Sequence, residues 1–266
     1  MTYHEMKVSL IITTYNWKDA LELSLLSGLS QKEKPVEIVV ADDGSRPDTG
    51  KMIAAIAAHS PIPVIHSWQE DNGFRLSASR NKAIAKTSGD YIVLIDGDII
   101  MEEHFIADHI HFAQPGCFAQ GTRVLLKEGL SEEVLARKKM PETLCKKGVE
   151  NRKNCLRSAF LSRLISFKNR GMNGVRTCNF AFWREDALAV NGFNEDFIGW
   201  GREDSEFTAR LLNYGLMRRS VKFNALAYHL YHSRNDRSHL LKNDRLLEET
   251  IEQKRTWCEK GVNAYL

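Results

Sequence analysis

The chain has 266 residues, of which 43% are hydrophobic and 27% charged, and its formal net charge is +3. These are ordinary values for a globular protein, so they exclude a disordered or fibrous chain, and the length suits one large domain. The five cysteines contain no Cys-x-x-Cys pair, which argues against a zinc site or a disulfide framework and favours a reducing compartment. The first apolar run, residues 8–12, is too short for a signal peptide or a membrane span, so we expect a cytoplasmic protein.

The first half of the chain alternates short apolar runs with helical patterns. Alternation of this kind is typical of βαβ units and predicts an α/β fold with a mostly parallel central sheet flanked by helices. The predicted strands are residues 8–12, 36–41, 64–66 and 91–95, and the predicted helices are residues 19–29, 49–59 and 77–87. Three of these strands end in polar clusters, which are residues 13–16, Asp42-Asp43 and Asp96-Gly97-Asp98. Since ligands of such sheets lie beyond the carboxyl ends of the strands, this edge is the predicted binding site.

The second half begins with a basic segment. Residues 122–170 hold 13 Lys/Arg against 5 Asp/Glu, so the rest of the chain carries a net charge of −5. Two interpretations stay open: a solvated helical face, or a surface that meets an anionic lipid-linked acceptor or an anionic membrane peripherally. Residues 132–168 are predicted to be partly helical. The remaining predicted elements are strands at residues 179–183 and 225–231 and helices at residues 206–214 and 245–259.

Asp96 and Asp98 follow a buried strand and are separated by a glycine that lets the backbone turn sharply. Carboxylate oxygens on such a turn suit Mg²⁺ or Mn²⁺, which stabilises the negative charge of a diphosphate leaving group. An Asp-x-Asp pair alone is common, and its position at a strand end is what favours the metal. Two carboxylates leave room for a further protein ligand, for which His232 is the best choice and His229 an auxiliary.

Glu203 and Asp204 stand where a helix is predicted to start, so capping of that helix would account for both. The functional interpretation makes one carboxylate a ligand of acceptor hydroxyls and the other a general base, with Trp200 in the preceding glycine-flanked turn stacking on a sugar. One carboxylate of Asp42-Asp43 would accept the N3–H of a uracil ring, or the pair would simply close an Asx turn. Arg80 would reach a diphosphate or lie on a solvated helix face.

Taken together, these segments resemble known transferases. Residues 9–16, 40–45, 78–83 and 96–98 resemble the nucleotide-binding half of family 2 inverting glycosyltransferases. Residues 179–204, with His232-Ser233-Arg234, resemble the C-terminal part of β-1,4-galactosyltransferases, and bacterial chondroitin polymerase modules combine the same two halves. The chain departs from the galactosyltransferases at Arg202, where those enzymes have glycine, and at Ser205, where they have an acidic residue. Because of these two departures, the resemblance does not fix the identity of the acceptor or of the donor sugar.

The resemblance implies a single GT-A domain, a UDP-sugar donor, Mn²⁺ or Mg²⁺, and inversion at the anomeric carbon. Positions carried over from the family make Asp43 the uracil ligand and Asp204 the base. The other implied site residues are Thr13 and Tyr15 beneath the base, Asp96 near the ribose and metal, Asp98 and His232 on the metal, and His229 where the galactosyltransferases have a methionine ligand.

We therefore expect a hexosyltransferase that builds a bacterial surface glycan, such as lipopolysaccharide or capsule, with no nucleic-acid partner. Its expected parts are a nucleotide-sugar half (1–120), a basic helical segment (121–172), an acceptor and catalytic half (173–235), and a lid with a C-terminal helix (236–266). Within that scheme, residues 233–245 are predicted to close over the donor. The alternatives are a nucleotidyltransferase, which would normally have a glycine-rich loop that residues 13–16 lack, and a non-catalytic sugar-nucleotide or glycan-binding scaffold.

Overall fold

A computed structural model describes residues 6–140, 148–233 and 236–266. Within these ranges the strands are β1 (Val8–Thr14), β2 (Glu37–Asp42), β3 (Val64–Trp68), β4 (Tyr91–Asp96), β5 (Ile99–Met101), β6 (Cys117–Gln120), β7 (Val124–Leu126), β8 (Val149–Glu150), β9 (Lys168–Asn169), β10 (Phe180–Trp183), β11 (Met217–Ser220) and β12 (Ala227–His229). The α-helices are α1 (Lys18–Leu29), α2 (Pro47–Ala57), α3 (Leu76–Lys86), α4 (Phe105–Phe112), α5 (Glu128–Arg137), α6 (Ala159–Ile165), α7 (Arg184–Ala189), α8 (Glu203–Asn213) and α9 (Leu240–Glu252). Short 3-10 helices occupy Arg152–Cys155, Thr177–Asn179 and Val262–Tyr265.

The main sheet has eight strands in the order β3-β2-β1-β4-β10-β6-β11-β9. Strands β1 to β4 are parallel to one another, and β6 is parallel to β11. Because β10 is antiparallel to both β4 and β6, those two strands also run in the same direction. Six strands therefore end at one edge of the sheet, which confirms the predicted mostly parallel α/β fold.

A second, four-stranded sheet brings distant parts of the chain to that edge. Its order is β5-β12-β7-β8, and the antiparallel pairing of β12 with β5 sets His229 opposite Ile99. The amide N–H of Leu230 donates to the carbonyl of Asp98 at 3.0 Å. The small sheet thus fixes the segment after β12 beside the Asp96-Gly97-Asp98 turn.

Apolar side chains cover both faces of the main sheet. The central strand β1 is buried along its whole length, as continuous branched residues require of a strand covered on both sides. On one face a cluster of apolar side chains from both halves of the chain packs together, and within it Phe193 stacks on Phe207 with 4.3 Å between ring centroids. This packing carries α8 to the carboxyl edge of the sheet.

Several predicted elements need correction. The C-terminal helix runs from Leu240 to Glu252 rather than over residues 245–259, because Lys254 adopts the left-handed conformation with φ of 49°. The predicted lid, residues 233–245, therefore overlaps the first turns of α9, and residues 234–235 lie outside the described ranges. Helices α4 and α7 and strands β5, β6, β7 and β11 were not predicted, since their apolar runs are short.

The basic segment is more mixed than predicted. It contains the helices α5 and α6 but also β7, β8 and β9, and residues 141–147 of the predicted helical stretch fall outside the described ranges. In the part of the chain that the structure describes, none of the helices combines the length and the apolar character that crossing a membrane requires.

Candidate active site

A cleft of about 880 Å³ opens at the carboxyl edge of the main sheet. All eleven residues predicted from the sequence as site residues line it: Thr13, Tyr15, Asp43, Arg80, Asp96, Asp98, Trp200, Glu203, Asp204, His229 and His232. The structure therefore brings together residues from both halves of the chain. Their individual roles stay predictions.

The turn after β4 is tightly packed against the end of β1. A Cβ atom on Gly97 would lie 2.5 Å from the carbonyl oxygen of Thr13, which only glycine avoids. The hydroxyl of Thr13 donates to Oδ1 of Asp96 at 3.2 Å. Close approach of the two strand ends thus aims the carboxylates of this turn into the cleft.

Asp98, His229 and His232 form a group whose potential ligand atoms lie within 4.8 Å of one another. Nε2 of His229 lies 3.6 Å from Oδ2 of Asp98, and Nε2 of His232 lies 3.5 Å from the same oxygen. Nδ1 of His232 is 2.6 Å from the carbonyl of Ser233 and donates there, so Nε2 is the ring nitrogen that faces Asp98. One carboxylate and two imidazoles make a donor set for a divalent cation.

The electrostatics of this group also suit a cation. Burial, followed by the charge of Asp96, raises the pKa of Asp98 to about 8, and Oδ1 of Asp98 is buried without a hydrogen-bond partner among the described residues. Burial and then Arg123 lower the pKa of His229 to about 4, so its ring is neutral and able to ligate. A buried carboxylate with an unsatisfied oxygen beside the neutral ring of His229 fits a metal that would supply the missing positive charge.

Asp96, the fourth predicted ligand, lies outside this three-residue group. Its Oδ1 is 3.6 Å from Nη2 of Arg80, in addition to the hydrogen bond from Thr13. The predicted contact of Asp96 with both ribose and metal therefore stays a prediction, and the carboxylate is held on the side of the turn that faces Arg80.

Arg80 is buried, with 1% of its surface exposed, and so does not lie on a solvated helix face. Its Nη1 donates to Oε1 of Glu203 at 3.2 Å, and its Nη2 donates to the hydroxyl of Thr177 at 2.7 Å. The guanidinium carbon also lies 5.0 Å from the ring centre of Phe193. One side chain thus connects the turn after β4 with the start of α8, and Thr177 carries no sequence signal for this contact.

Glu203 and Asp204 form the first turn of α8. Arg202 precedes them in the left-handed conformation, with φ of 76°, where the galactosyltransferases have glycine. Oδ1 of Asp204 accepts hydrogen bonds from the amide and hydroxyl of Ser205, which leaves Oδ2 without a partner among the described residues. Burial, followed by the charge of Glu203, raises the pKa of Asp204 to about 7. A carboxyl that titrates near neutral pH is suited to proton transfer.

The loop before α8 is fastened to α9. Asn243 is fully buried, and its amide donates to the carbonyls of Ile198 and Gly201 at 3.2 and 2.9 Å. Arg202 forms an ion pair with Asp244 of the same helix. These contacts were missed because an asparagine and an aspartate in a polar helix carry no distinctive pattern. Part of the predicted lid therefore supports the loop that carries Trp200.

The opposite end of the cleft contains Asp43. Its two oxygens accept hydrogen bonds from the side-chain amide of Gln69 and, at 2.8 Å, from the backbone N–H of Arg75. Burial raises the pKa of Asp43 to about 6. The Tyr15 hydroxyl donates to Asp71 at 2.9 Å, which holds a half-exposed aromatic ring at the rim of the cleft. An acceptor group below an exposed ring can take a planar base.

Comparison with known proteins identifies the class. The solved structure of GalNAc-T7 with UDP, GalNAc and Mn²⁺ matches with a TM-score of 0.66 at 15% identity, over 92% of this chain and 48% of that one. The mannosyltransferase PcManGT of Pyrobaculum calidifontis, solved with GDP-Man and Mn²⁺, matches with a TM-score of 0.58 at 18% identity, over 94% and 69% of the two chains. The fold is thus that of the GT-A glycosyltransferases.

The chain belongs to glycosyl transferase family 2, whose family model matches residues 9–189. A second model, described as the N-terminal domain of galactosyltransferase, matches residues 163–233, so both halves of the resemblance are confirmed. The chondroitin synthase of Escherichia coli is 27% identical over 84% of this chain, and the hyaluronan synthase of Pasteurella multocida is 26% identical over 85%. The chain spans only 34% and 25% of those two proteins.

Replacement of Arg80 by methionine should destabilise the protein. It would leave the carboxylates of Glu203 and Asp96 without their cation. Breaking a buried ion pair in this way lowers the free energy of unfolding by about 3 kcal/mol, the low end of the range, because Asp96 is partly exposed. Urea unfolding measures the loss. Arg80→Lys should recover part of it, and Arg184→Met, which removes an arginine without an ion pair among the described residues, serves as the control. An unchanged midpoint for Arg80→Met would contradict this account.

Proposed function

We propose that the protein is an inverting, metal-dependent glycosyltransferase that moves a hexose or N-acetylhexosamine from a UDP-sugar to a hydroxyl of a glycan or glycolipid. The supporting observation is that one cleft contains both a metal-type group, Asp98 with two histidines, and the carboxylate pair Glu203-Asp204. The relatives named as synthases of chondroitin and hyaluronan make assembly of a bacterial surface polysaccharide, such as lipopolysaccharide or capsule, the favoured setting.

In this proposal the donor lies along the carboxyl edge of the sheet. Asp43 accepts the N3–H of uracil while Gln69 and Arg75 hold its carboxylate in place, and the ring of Tyr15 stacks on the base above Thr13. Asp98, His229 and His232 would hold Mn²⁺ or Mg²⁺, with Asp96 contributing from beside Arg80. The bound ion would offset the negative charge that develops on the departing diphosphate. That both structural neighbours were solved with Mn²⁺ supports this assignment.

The acceptor enters from the side of α8. Its hydroxyl oxygen attacks the anomeric carbon, the proton of that hydroxyl moves to Oδ2 of Asp204, and the bond from the anomeric carbon to the β-phosphate oxygen breaks, so UDP leaves with the electron pair. A single displacement inverts the configuration. Oδ1 of Asp204 is fixed by Ser205, which orients the free oxygen. Glu203 would hydrogen-bond the acceptor through Oε2, which has no hydrogen-bond partner among the described residues. Trp200 would cover the sugar.

Membership of family 2 and the similarity to glycosyltransferases argue against the other two classes. A nucleotidyltransferase would not share this family model, and a non-catalytic scaffold would have no need for a partly buried carboxyl that titrates near neutral pH. Glycosyl transfer is therefore the function that the geometry supports best.

The first test uses the purified chain with Mn²⁺ and a panel of UDP-sugars, and measures UDP release by slow hydrolysis without an acceptor. We expect release from one sugar, and we expect EDTA or Asp98→Ala to abolish it. Lys51→Gln, on the exposed face of α2, is a control that should leave release unchanged. Release that persists in EDTA would count against the metal, and absence of both release and Mn²⁺-dependent UDP binding would count against the UDP-sugar donor.

Asp204→Asn should retain UDP binding and lose transfer by about 10²- to 10⁴-fold, as removal of a general base does. In the unaltered protein the rate should rise between pH 6 and 8, because the base must be deprotonated and its pKa is about 7. The asparagine variant should lose that pH dependence along with the activity. Near-normal turnover in Asp204→Asn would transfer the role of base to Glu203.

The same shift has a consequence for stability. Because the pKa of Asp204 is raised in the folded state, ionising it costs folding free energy, and the cost grows from about pH 4 to pH 7 and is constant above. Asp204→Asn should therefore unfold at a higher urea concentration than the unaltered protein at pH 8, and the difference should vanish near pH 4. A lower midpoint at pH 8 would show that the carboxylate stabilises the fold instead.

The proposal also includes peripheral contact of the protein with the cytoplasmic face of an anionic membrane. Phe160, Leu164 and Phe167, in and just after α6, are 73%, 65% and 56% exposed, and Arg163 and Lys168 beside them are exposed cations. Apolar side chains ringed by positive charge suit an anionic lipid surface. The cations at and just after the end of α5 are a weaker choice, since Arg137 pairs with Glu133 and Lys138 with Glu22.

Sedimentation with vesicles tests this contact. The protein should bind vesicles that contain phosphatidylglycerol, bind less as salt is raised, and ignore pure phosphatidylcholine. Phe160→Ser with Leu164→Ser should reduce binding at least fivefold, roughly the loss of 1 kcal/mol of apolar burial. Arg137→Gln with Lys138→Gln is the control. Equal binding by both double variants would rule out α6 as the contact.

A further inference from the structure

A second cavity of about 220 Å³ lies next to the cleft and shares Arg123, Gly174 and Arg176 with its lining. We call it the basic pocket, because Arg123, Arg176, Arg218 and Lys222 line it and none of the lining residues that the structure describes is acidic. Its volume equals roughly seven water molecules, which is room for one charged group or a single sugar ring but not for a nucleotide.

Within the described ranges the four cations of the basic pocket have few partners: Nη1 of Arg123 donates to Sγ of Cys178 at 3.4 Å, and the charge of Arg123 favours the ionised form of Asp98 nearby. Among the described residues, none of the four cations forms an ion pair. Nε of Arg123 and Nε of Arg218 are buried without hydrogen-bond partners. Nη1 of Arg218 donates to the carbonyls of Gly171 and Asn173 at 3.1 and 2.8 Å, so this guanidinium is fixed in position. Four like charges around one small cavity repel one another until an anion joins them.

The backbone around the pocket is also held in place. Gln120, at the end of β6, accepts from the N–H of Arg176 at 3.0 Å and donates to its carbonyl at 2.9 Å. The amide of Asn154 donates to the carbonyl of Arg123 at 2.8 Å. Two cation-bearing segments are thus fixed by side-chain amides, while the side chain of Arg176 remains exposed and available. A pre-formed site of this kind loses little entropy on binding.

The position of the pocket indicates which substrate would reach it. It lies at the carboxyl ends of the parallel pair β6 and β11, whereas Asp43 follows β2, and β1, β4 and β10 lie between those two positions in the sheet. The predicted metal group follows β4, and Arg123 lines both the basic pocket and the cleft that contains this group. Along the edge of the main sheet, the proposed uracil site therefore comes first, the metal group with the reacting sugar carbon second, and the basic pocket last.

We propose that the basic pocket binds a negatively charged group of the acceptor, a carboxylate or a phosphate, so that the enzyme prefers acidic acceptors. The acceptor assignment rests on the proposed transferase function, whereas the anion site itself does not. Charge-assisted hydrogen bonds from several guanidinium groups would make an acidic acceptor bind about tenfold or more tighter than its neutral counterpart.

The first experiment measures binding without catalysis. The protein is first saturated with UDP and Mg²⁺, so that the phosphate sites for the donor are filled. It is then titrated with sodium phosphate and, separately, with sodium glucuronate. Sodium chloride keeps the ionic strength constant. Each anion that fits should raise the melting temperature. The shift should fall by at least half in Arg176→Gln with Lys222→Gln and stay intact in Lys51→Gln with Lys86→Gln, which removes the same charge from exposed positions on α2 and α3.

The second experiment measures transfer to matched acceptors: methyl glucoside, methyl glucuronide and glucose 6-phosphate. We expect a charged acceptor to have a KM at least tenfold below that of methyl glucoside, and the Arg176-Lys222 double variant to lose that advantage. The charged acceptor with the lower KM identifies the group as carboxylate or phosphate. UDP release by the unaltered protein reports separately on the proposed function.

Three results would overturn the inference. One is the absence of any melting shift with either anion in the unaltered protein. Another is an equal shift in the two double variants, which would show that the anion binds elsewhere. The third is an equal KM for charged and neutral acceptors. If UDP release fails while the anion shift depends on Arg176 and Lys222, the proposed function is wrong and the anion site stands.

Discussion

The buried guanidinium of Arg80 is the interaction on which the site depends. It lies between Asp96, which ends the fourth strand, and Glu203, which starts the eighth helix, with Thr177 as a third partner. Without a cation at that point, two partly buried carboxylates from different halves of the chain would face each other, and like charges in a medium of low polarity repel strongly. Arg80 therefore joins the two halves of the chain and also allows the acidic turn after the fourth strand and the acidic start of the eighth helix to share one cleft.

The strand-end carboxylates could be predicted because they follow from local sequence. A parallel sheet sends its carboxyl ends to one edge, so Asp43, Asp96 and Asp98 had to lie along the same edge. The histidines were predictable for a weaker reason: two carboxylates leave a cation short of ligands. Their actual approach to Asp98 depends on the pairing of the twelfth strand with the fifth, which no local pattern reveals.

The environment of Arg80 could not be predicted. Its helix has the composition of a surface helix, yet residues 77 to 81 are buried because distant segments cover it. Asn81 donates to the carbonyl of Phe193, and the 3-10 helix Val262–Tyr265 packs against the same helix. Burial of this kind comes from parts of the chain more than a hundred residues away, so neither periodicity nor propensity carries it. The same holds for Asn243, which matters because its side chain donates to two backbone carbonyls of the loop before the eighth helix.

The metal-type group has a consequence for the order of folding. Asp98 and His232 are about 130 residues apart in the chain, and they meet only after the small sheet has paired its fifth and twelfth strands. Closing a loop of that length costs entropy that local contacts do not repay. A cation therefore cannot act as an early organiser of this fold. A cation bound at this group would stabilise the native state by mass action once the topology is complete, and its affinity would then report on the integrity of the whole molecule.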